Sequence, residues 1–221
     1  MDKMTRLFLV RHGETEWNRS LRYQGHRDIP LSKEGRVQAE KLALRLAAER
    51  LDAAYASDLI RAIDTARIIS ARHGLEVKPV SEIKETNFGL WEGLTYREIT
   101  EQFPEEMQGW RTNPRDTRIP GGETFSEVAE RCQAGLKKII EQNPGKNVLV
   151  AAHGGIIRIA VATALGMDLN DYWKIKQDNV SVNIIEYYSG GKAILCLLND
   201  TCHTAGEAKK QSPMDKWRAN S

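Results

Sequence analysis

The chain has 221 residues, 41% hydrophobic and 28% charged, with a formal net charge of +2. That is the make-up of a soluble globular protein long enough for one domain with a sizeable core. Near-balanced charge excludes bulk attraction to nucleic acid or an acidic membrane surface, so any basic site must be local. In chain order, the apolar run Leu7 to Val10 is of strand length, too short for a core helix, and ends abruptly in Arg11-His12-Gly13. Glu14 to Asn18 can begin a helical turn. Tyr23 to Pro30, with Gly25 and Pro30, reads as a loop. Ser32 is placed to cap a helix over Lys33 to Ala48. Ala53 to Ser57 reads as a short buried strand, and Asp58 to Ile69 as a helix with Arg61 in its first turn. Gly74 ends that helix and Val77 to Val80 forms another strand.

Asn87 to Gly93 is a loop with two glycines and two aromatics, Phe88 and Trp91. Thr95 with Glu98, and Thr124 with Glu127, fit the capping box and open helices running to about Gln102 and Gln142. Between them Pro104 to Glu123 is a long connection, of the kind that often forms a lid or wall. Asn147 to Ala152 is the second strong strand and ends in His153-Gly154-Gly155, with an apolar helix over Ile156 to Leu165. Ser181 to Tyr188 and Ala193 to Leu198 flank Ser189-Gly190-Gly191 as a hairpin. Strand–helix alternation predicts an α/β fold, a three-layer α/β/α sandwich around a mainly parallel sheet, with the last hairpin supplying an antiparallel edge strand. One domain over residues 1–203 is expected, with a flexible tail over 204–221. Cys132, Cys196 and Cys202 have no metal-ligand spacing and are expected as reduced thiols. The apolar run at the N-terminus is too short for a signal peptide, and no stretch approaches the ~20 apolar residues of a membrane span. The expectation is a cytoplasmic protein with no membrane or nucleic-acid partner.

Two strands thus end alike, in Arg11-His12-Gly13 and in His153-Gly154-Gly155. Strands of the same polarity bring such ends together at one sheet edge, where α/β folds place ligand chemistry. Arg61 reaches the same edge from a strand-to-helix turn. Arginine offers a planar fork of donors, histidine a nucleophile or base near neutral pH, and helix starts near Gly13 and Gly154 add backbone N–H groups. The combination is an anion cradle.

The order and spacing of Arg11-His12-Gly13-Glu14-Thr15, Tyr23-Gln24-Gly25, Ser57-Asp58-Leu59-Ile60-Arg61-Ala62, Glu85 ahead of Phe88 to Gly93, Pro120-Gly121-Gly122-Glu123 and His153-Gly154-Gly155 resemble the histidine phosphatase superfamily, the phosphoglycerate-mutase-like proteins. The likeness runs from about Thr5 to His203. It implies that His12 attacks phosphorus to form a phosphohistidine, with Arg11, Arg61 and His153 around the phosphoryl group and Asn18 as a neutral donor. It also implies Glu85 as the proton donor and acceptor, Glu14 or Glu82 being the substitutes. Gln24, Gly25 and Gly154 are carried over as substrate contacts. No metal and no cofactor are implied, since the arginines supply the positive charge. The implied partner is a small phosphorylated metabolite, and the implied assembly a monomer or homodimer.

Within that family, mutases usually have Leu-Gln where this chain has Trp91-Glu92, and a longer basic insertion before the Gly-Gly-Glu stretch. Here Leu94 to Pro120 is shorter and carries Glu98, Glu101, Glu105 and Glu106 beside Arg111, Arg115 and Arg118. The resemblance therefore favours a phosphatase over a phosphoglycerate mutase or a non-catalytic phosphate-binding regulator. Tyr23 to His26, Leu90 to Thr95 and Leu198-Asn199-Asp200 look most like α-ribazole phosphatases of cobalamin synthesis. Trp17, Trp91, Trp110 and Phe125 are candidates to shape a pocket for a nucleoside-like leaving group. Asp64 departs from the Gln or Lys common in relatives; it is expected to face away from phosphate, yet to be able to weaken Arg61.

Overall fold

Alternation along the first strand sets the layers. In β1 (Thr5–Arg11), Leu7 and Leu9 join one buried apolar cluster while Phe8 and Val10 join another. In β4 (Asn147–Ala152), Val148 and Val150 are divided from Leu149 and Ala151 in the same way. Strands covered on both faces read as continuous apolar runs, and both segments do. The structure is a computed structural model and describes residues 4–204. The remaining strands are β2 (Ala53–Ala56), β3 (Val77–Pro79), β5 (Val182–Tyr187) and β6 (Ala193–Asp200), in a six-stranded sheet of order β3-β2-β4-β1-β5-β6. β1, β2, β3 and β4 run parallel; β5 pairs antiparallel to both β1 and β6, so the expected hairpin edge is present with its reversed strand one place in.

One face is covered by α2 (Lys33–Leu46) and α3 (Ile60–Ser70), which contribute Leu42, Leu46, Ala66 and Ile69 to the core. The other is covered by α4 (Tyr96–Gln102), α5 (Pro104–Thr112), α6 (Phe125–Gln142) and α7 (Gly154–Ala164). Near the sheet edge α1 (Glu16–Arg19) is a single capped turn. The caps read from sequence are made: Ser32, Thr95 and Thr124 each accept the backbone N–H they were placed to accept.

The expected long connection from Pro104 to Glu123 is in part a helix. Pro104 sits in its first turn, where its missing N–H has no partner to lose, and Met107 and Trp110 are buried beneath it. The helix after β2 begins at Ile60 instead of Asp58, because Asp28 accepts the Ile60 N–H at 2.7 Å and Asp58 pairs with Lys84. α7 begins directly after His153, two residues earlier than expected, for a reason that belongs to the site. Among the described residues no helix is long and apolar enough to cross a membrane. The expected tail, apart from Thr204, lies outside the described residues.

Candidate active site

Register brings the two motifs together. Arg11 is opposite Ala152, and the His12 N–H donates to the Ala152 carbonyl at 3.0 Å. His12 and His153 therefore leave neighbouring strands at one level, with ring centroids 5.3 Å apart. Behind His12 the chain needs glycine twice. A Cβ on Gly13 would lie 2.4 Å from the Gly35 carbonyl oxygen, and one on Gly35 would lie 2.0 Å from that of Glu14. Only two glycines let the end of β1 press so closely on the first turn of α2.

The state of His12 follows from one contact. Its Nδ1 lies 2.7 Å from the Gly13 carbonyl, which can only accept, so Nδ1 carries the proton and Nε2 is bare. Burial, then Arg61 and Arg11, hold its pKa well below the ordinary imidazole value, so the ring stays neutral. His153 is shifted the same way by burial, Arg61, His12 and Arg11, and among the described residues neither of its ring nitrogens has a partner. Its ring does not line the cavity; it stands against that of His12.

Arg11 and Arg61 are held by backbone and not by carboxylates. Arg11 donates to the Gln177 carbonyl at 2.6 Å, and Arg61 to the carbonyls of Arg27 and Gly25 at 2.8 Å each. Burial lowers both guanidinium pKa values to about 10, which leaves them charged at neutral pH. Among the described residues no carboxylate lies in ion-pair reach of either. Two buried cations left unpaired are a receptor for an anion. Asp64 turns outward onto Arg36 at 2.8 Å and does not weaken Arg61.

Glu85 faces the same cavity. Its two carboxylate oxygens accept the N–H groups of Thr86 at 2.9 Å and Gly155 at 3.2 Å, so it caps α7 from another segment. This is why the helix starts early. A Cβ on Gly155 would stand 2.2 Å from Glu85 Oε1. The backbone of Glu85 is held from behind: its carbonyl accepts from His26 at 2.8 Å and from Arg131 at 2.9 Å. Arg131 also donates to the carbonyls of Glu82 and Lys84 and is fixed by Glu123 of the Pro-Gly-Gly-Glu stretch.

Asn18 and Gln24 line the cavity too. The Asn18 side-chain oxygen takes the Thr15 N–H at 3.1 Å, which turns its NH₂ away, free to donate. Gln24 Oε1 accepts from the Thr15 hydroxyl, and Gly25 serves chiefly through the carbonyl that holds Arg61. Two expected substitutes for Glu85 lie elsewhere: Glu82 pairs with Lys138, and Glu14 with Arg19 and Ser32. Of the four expected pocket aromatics only Trp110 lines the cavity; Trp91 and Phe125 are core residues, and Trp17 packs near Gly93. Tyr23, Phe88, Tyr172 and Trp173 build the wall with Trp110, and Arg158 stands beside them. Sequence reasoning missed Arg158 and Arg131. Arg158 carried a signal, a lone charge within an otherwise apolar helix; Arg131 carried none. Among the described residues no three His, Cys, Asp or Glu side chains are grouped to hold a metal ion.

The two neutral rings have a consequence for stability. An unfolded chain protonates its histidines as pH falls through about 6.5, whereas folded His12 and His153 resist. Their contribution is therefore complete above that pH and is lost below it, at about 1.4 kcal/mol per pH unit per ring. Urea unfolding of His12→Gln between pH 5 and 6.5 should show a slope shallower by about that amount than the unsubstituted protein. Equal slopes would show that His12 titrates normally in the fold.

The sequence model of the histidine phosphatase superfamily (branch 1) matches residues 7–201. Phosphoserine phosphatase 1 of Hydrogenobacter thermophilus is 36% identical over 200 residues, covering 90% of this chain and 94% of that protein. The structure of YhfR from Bacillus stearothermophilus superposes with a TM-score of 0.85 at 32% identity, over 90% of this chain and 98% of that one. A candidate alpha-ribazole-5′-P phosphatase from Escherichia coli gives 0.81 at 29% identity, over 89% and 96% of the two chains.

Proposed function

The chain is a phosphatase belonging to the histidine phosphatase superfamily, and on that premise we propose that it hydrolyses a small phosphorylated metabolite through a phosphohistidine on His12, without a metal. The observation that carries this is the bare Nε2 of His12 beside two buried guanidiniums that have no carboxylate partner among the described residues.

In the first step His12 Nε2 bonds to phosphorus as the bond to the ester oxygen breaks, and Glu85 delivers a proton to the leaving alcohol. Nδ1–H stays on the Gly13 carbonyl and spreads the positive charge that develops on the ring. In the second step water bonds to phosphorus, Glu85 takes its proton, the N–P bond breaks, and phosphate departs. Arg11, Arg61 and the Asn18 amide meet the equatorial oxygens, whose charge such a transition state must have stabilised. The His153 ring packs against that of the nucleophile, with centroids 5.3 Å apart.

The names of similar proteins point to two leaving groups. Phosphoserine phosphatase 1 favours a compact phosphorylated acid. The Escherichia coli neighbour, with the aromatic wall of Phe88, Trp110, Tyr172 and Trp173, favours the bulkier α-ribazole 5′-phosphate of cobalamin synthesis as a second reading. Three free thiols suit a cytoplasmic enzyme. The purified chain with chelator should turn over p-nitrophenyl phosphate as fast as without it. No hydrolysis across a panel of phosphomonoesters would overturn the proposal, and interconversion of phosphoglycerates primed by a bisphosphate would select a mutase instead.

A further inference from the structure

Besides Arg11 and Arg61 two guanidiniums line the cavity: Arg22, which is paired with Glu98, and Arg158, which has no part in the reaction described above. Arg158 lies on α7 and is only 5% exposed. Its Nε donates to the Ile175 carbonyl at 2.7 Å, and its Cζ stands 5.3 Å from the centre of the Tyr172 ring. Those contacts fix the plane of the fork, which lines the cavity and also hydrogen-bonds the Tyr172 side chain. Among the described residues no carboxylate lies in ion-pair reach. A guanidinium buried without a counter-charge is tolerable only where an anion comes to it.

Its place in the cavity separates it from the phosphoryl cations. Arg11 and Arg158 converge on Gly154: a Cβ there would stand 3.4 Å from Arg11 Nε and 3.6 Å from Arg158 Nη1. The Arg158 guanidinium lies over the Tyr172 ring and so stands on the side of the cavity that Tyr172 and Trp173 build. A phosphoryl group on the floor, held by Arg11, would direct its ester oxygen and leaving group past Arg158. The cavity offers about 100 Å³ beside these groups. A planar fork matches a carboxylate bidentately.

We propose that Arg158 is a specificity-determining residue that binds a carboxylate on the leaving group, so that the preferred substrates are phosphate esters of hydroxy or amino acids. This deepens the phosphatase reading and rests on it. The test compares O-phosphoserine with phosphoethanolamine, which lacks only the carboxylate, and with p-nitrophenyl phosphate, using the full chain. The unsubstituted enzyme should favour phosphoserine over phosphoethanolamine by at least about tenfold in kcat/KM. Arg158→Met should cut kcat/KM for phosphoserine by about 10- to 100-fold, mostly through KM. Its losses on the other two esters should be at least tenfold smaller, and Arg158→Lys should recover part of the preference. Equal losses on all three would overturn the proposal and make Arg158 a phosphoryl ligand. An active enzyme indifferent to the carboxylate would overturn it without any variant. Inactivity toward all three esters would instead overturn the phosphatase reading, and this proposal with it.

Discussion

His12→Ala abolishes phosphomonoester turnover, by on the order of 10⁴-fold or more, while the protein still folds and still binds phosphate. The loss is large because no neighbour can take over the attack: His153 is turned against the His12 ring and does not line the cavity. The fold survives because the ring's one hydrogen bond is to the carbonyl of the next residue, so no distant buried group is orphaned. Phosphate binding survives because Arg11 and Arg61 are held by backbone carbonyls that His12 does not touch. The checks are steady-state kinetics with p-nitrophenyl phosphate and the rise in melting temperature on adding inorganic phosphate. Activity within tenfold of the unsubstituted protein would remove His12 from the nucleophile's role.

Glu85→Gln separates the two half-reactions. The amide's one oxygen can accept only one of the Thr86 and Gly155 N–H groups, its NH₂ facing the other, and it can neither deliver nor take a proton. General acid–base catalysis contributes about 10²- to 10⁴-fold, and that range is the expected loss with alkyl phosphates. A p-nitrophenolate needs little help in leaving, so the variant should release about one equivalent in a burst and then slow, because water attack on the phosphoenzyme still lacks its base. A variant losing both phases alike would mean that Glu85 supports the loop and no more. Support of that loop belongs to Arg131, which holds the carbonyls of Glu82, Lys84 and Glu85 and is braced by Glu123.

The layers and the floor of the site were legible because their physics is local. Continuous apolar runs in β1 and β4 announced strands buried on both faces, and the matching ends predicted that His12 and His153 would meet. The capping residues marked α2, α4 and α6 by side chains three positions from their partners. What escaped depends on long-range geometry. Asp28 capping α3 and Glu85 capping α7 join segments far apart in sequence, so the starts of both helices were misplaced. Pro104 was placed in a long connection when it is the first-turn proline of a helix. The pocket wall was assigned to Trp91 and Phe125, yet aromatic rings carry no mark that tells core from cavity, and Tyr172 and Trp173 took that place. Arg131 gave no sign at all, since an arginine on an amphipathic helix is ordinarily a solvated one.

The proposed reaction turns on a covalent bond between His12 and phosphorus. The direct test mixes Glu85→Gln with a ³²P-labelled phosphomonoester, quenches in alkali during the slow phase, and maps the label after proteolysis. About one label per chain is expected, on the peptide holding Arg11-His12-Gly13, stable to alkali and lost in acid. Turnover without any trapped label in either Glu85→Gln or the unsubstituted enzyme, or label on another residue, would contradict it.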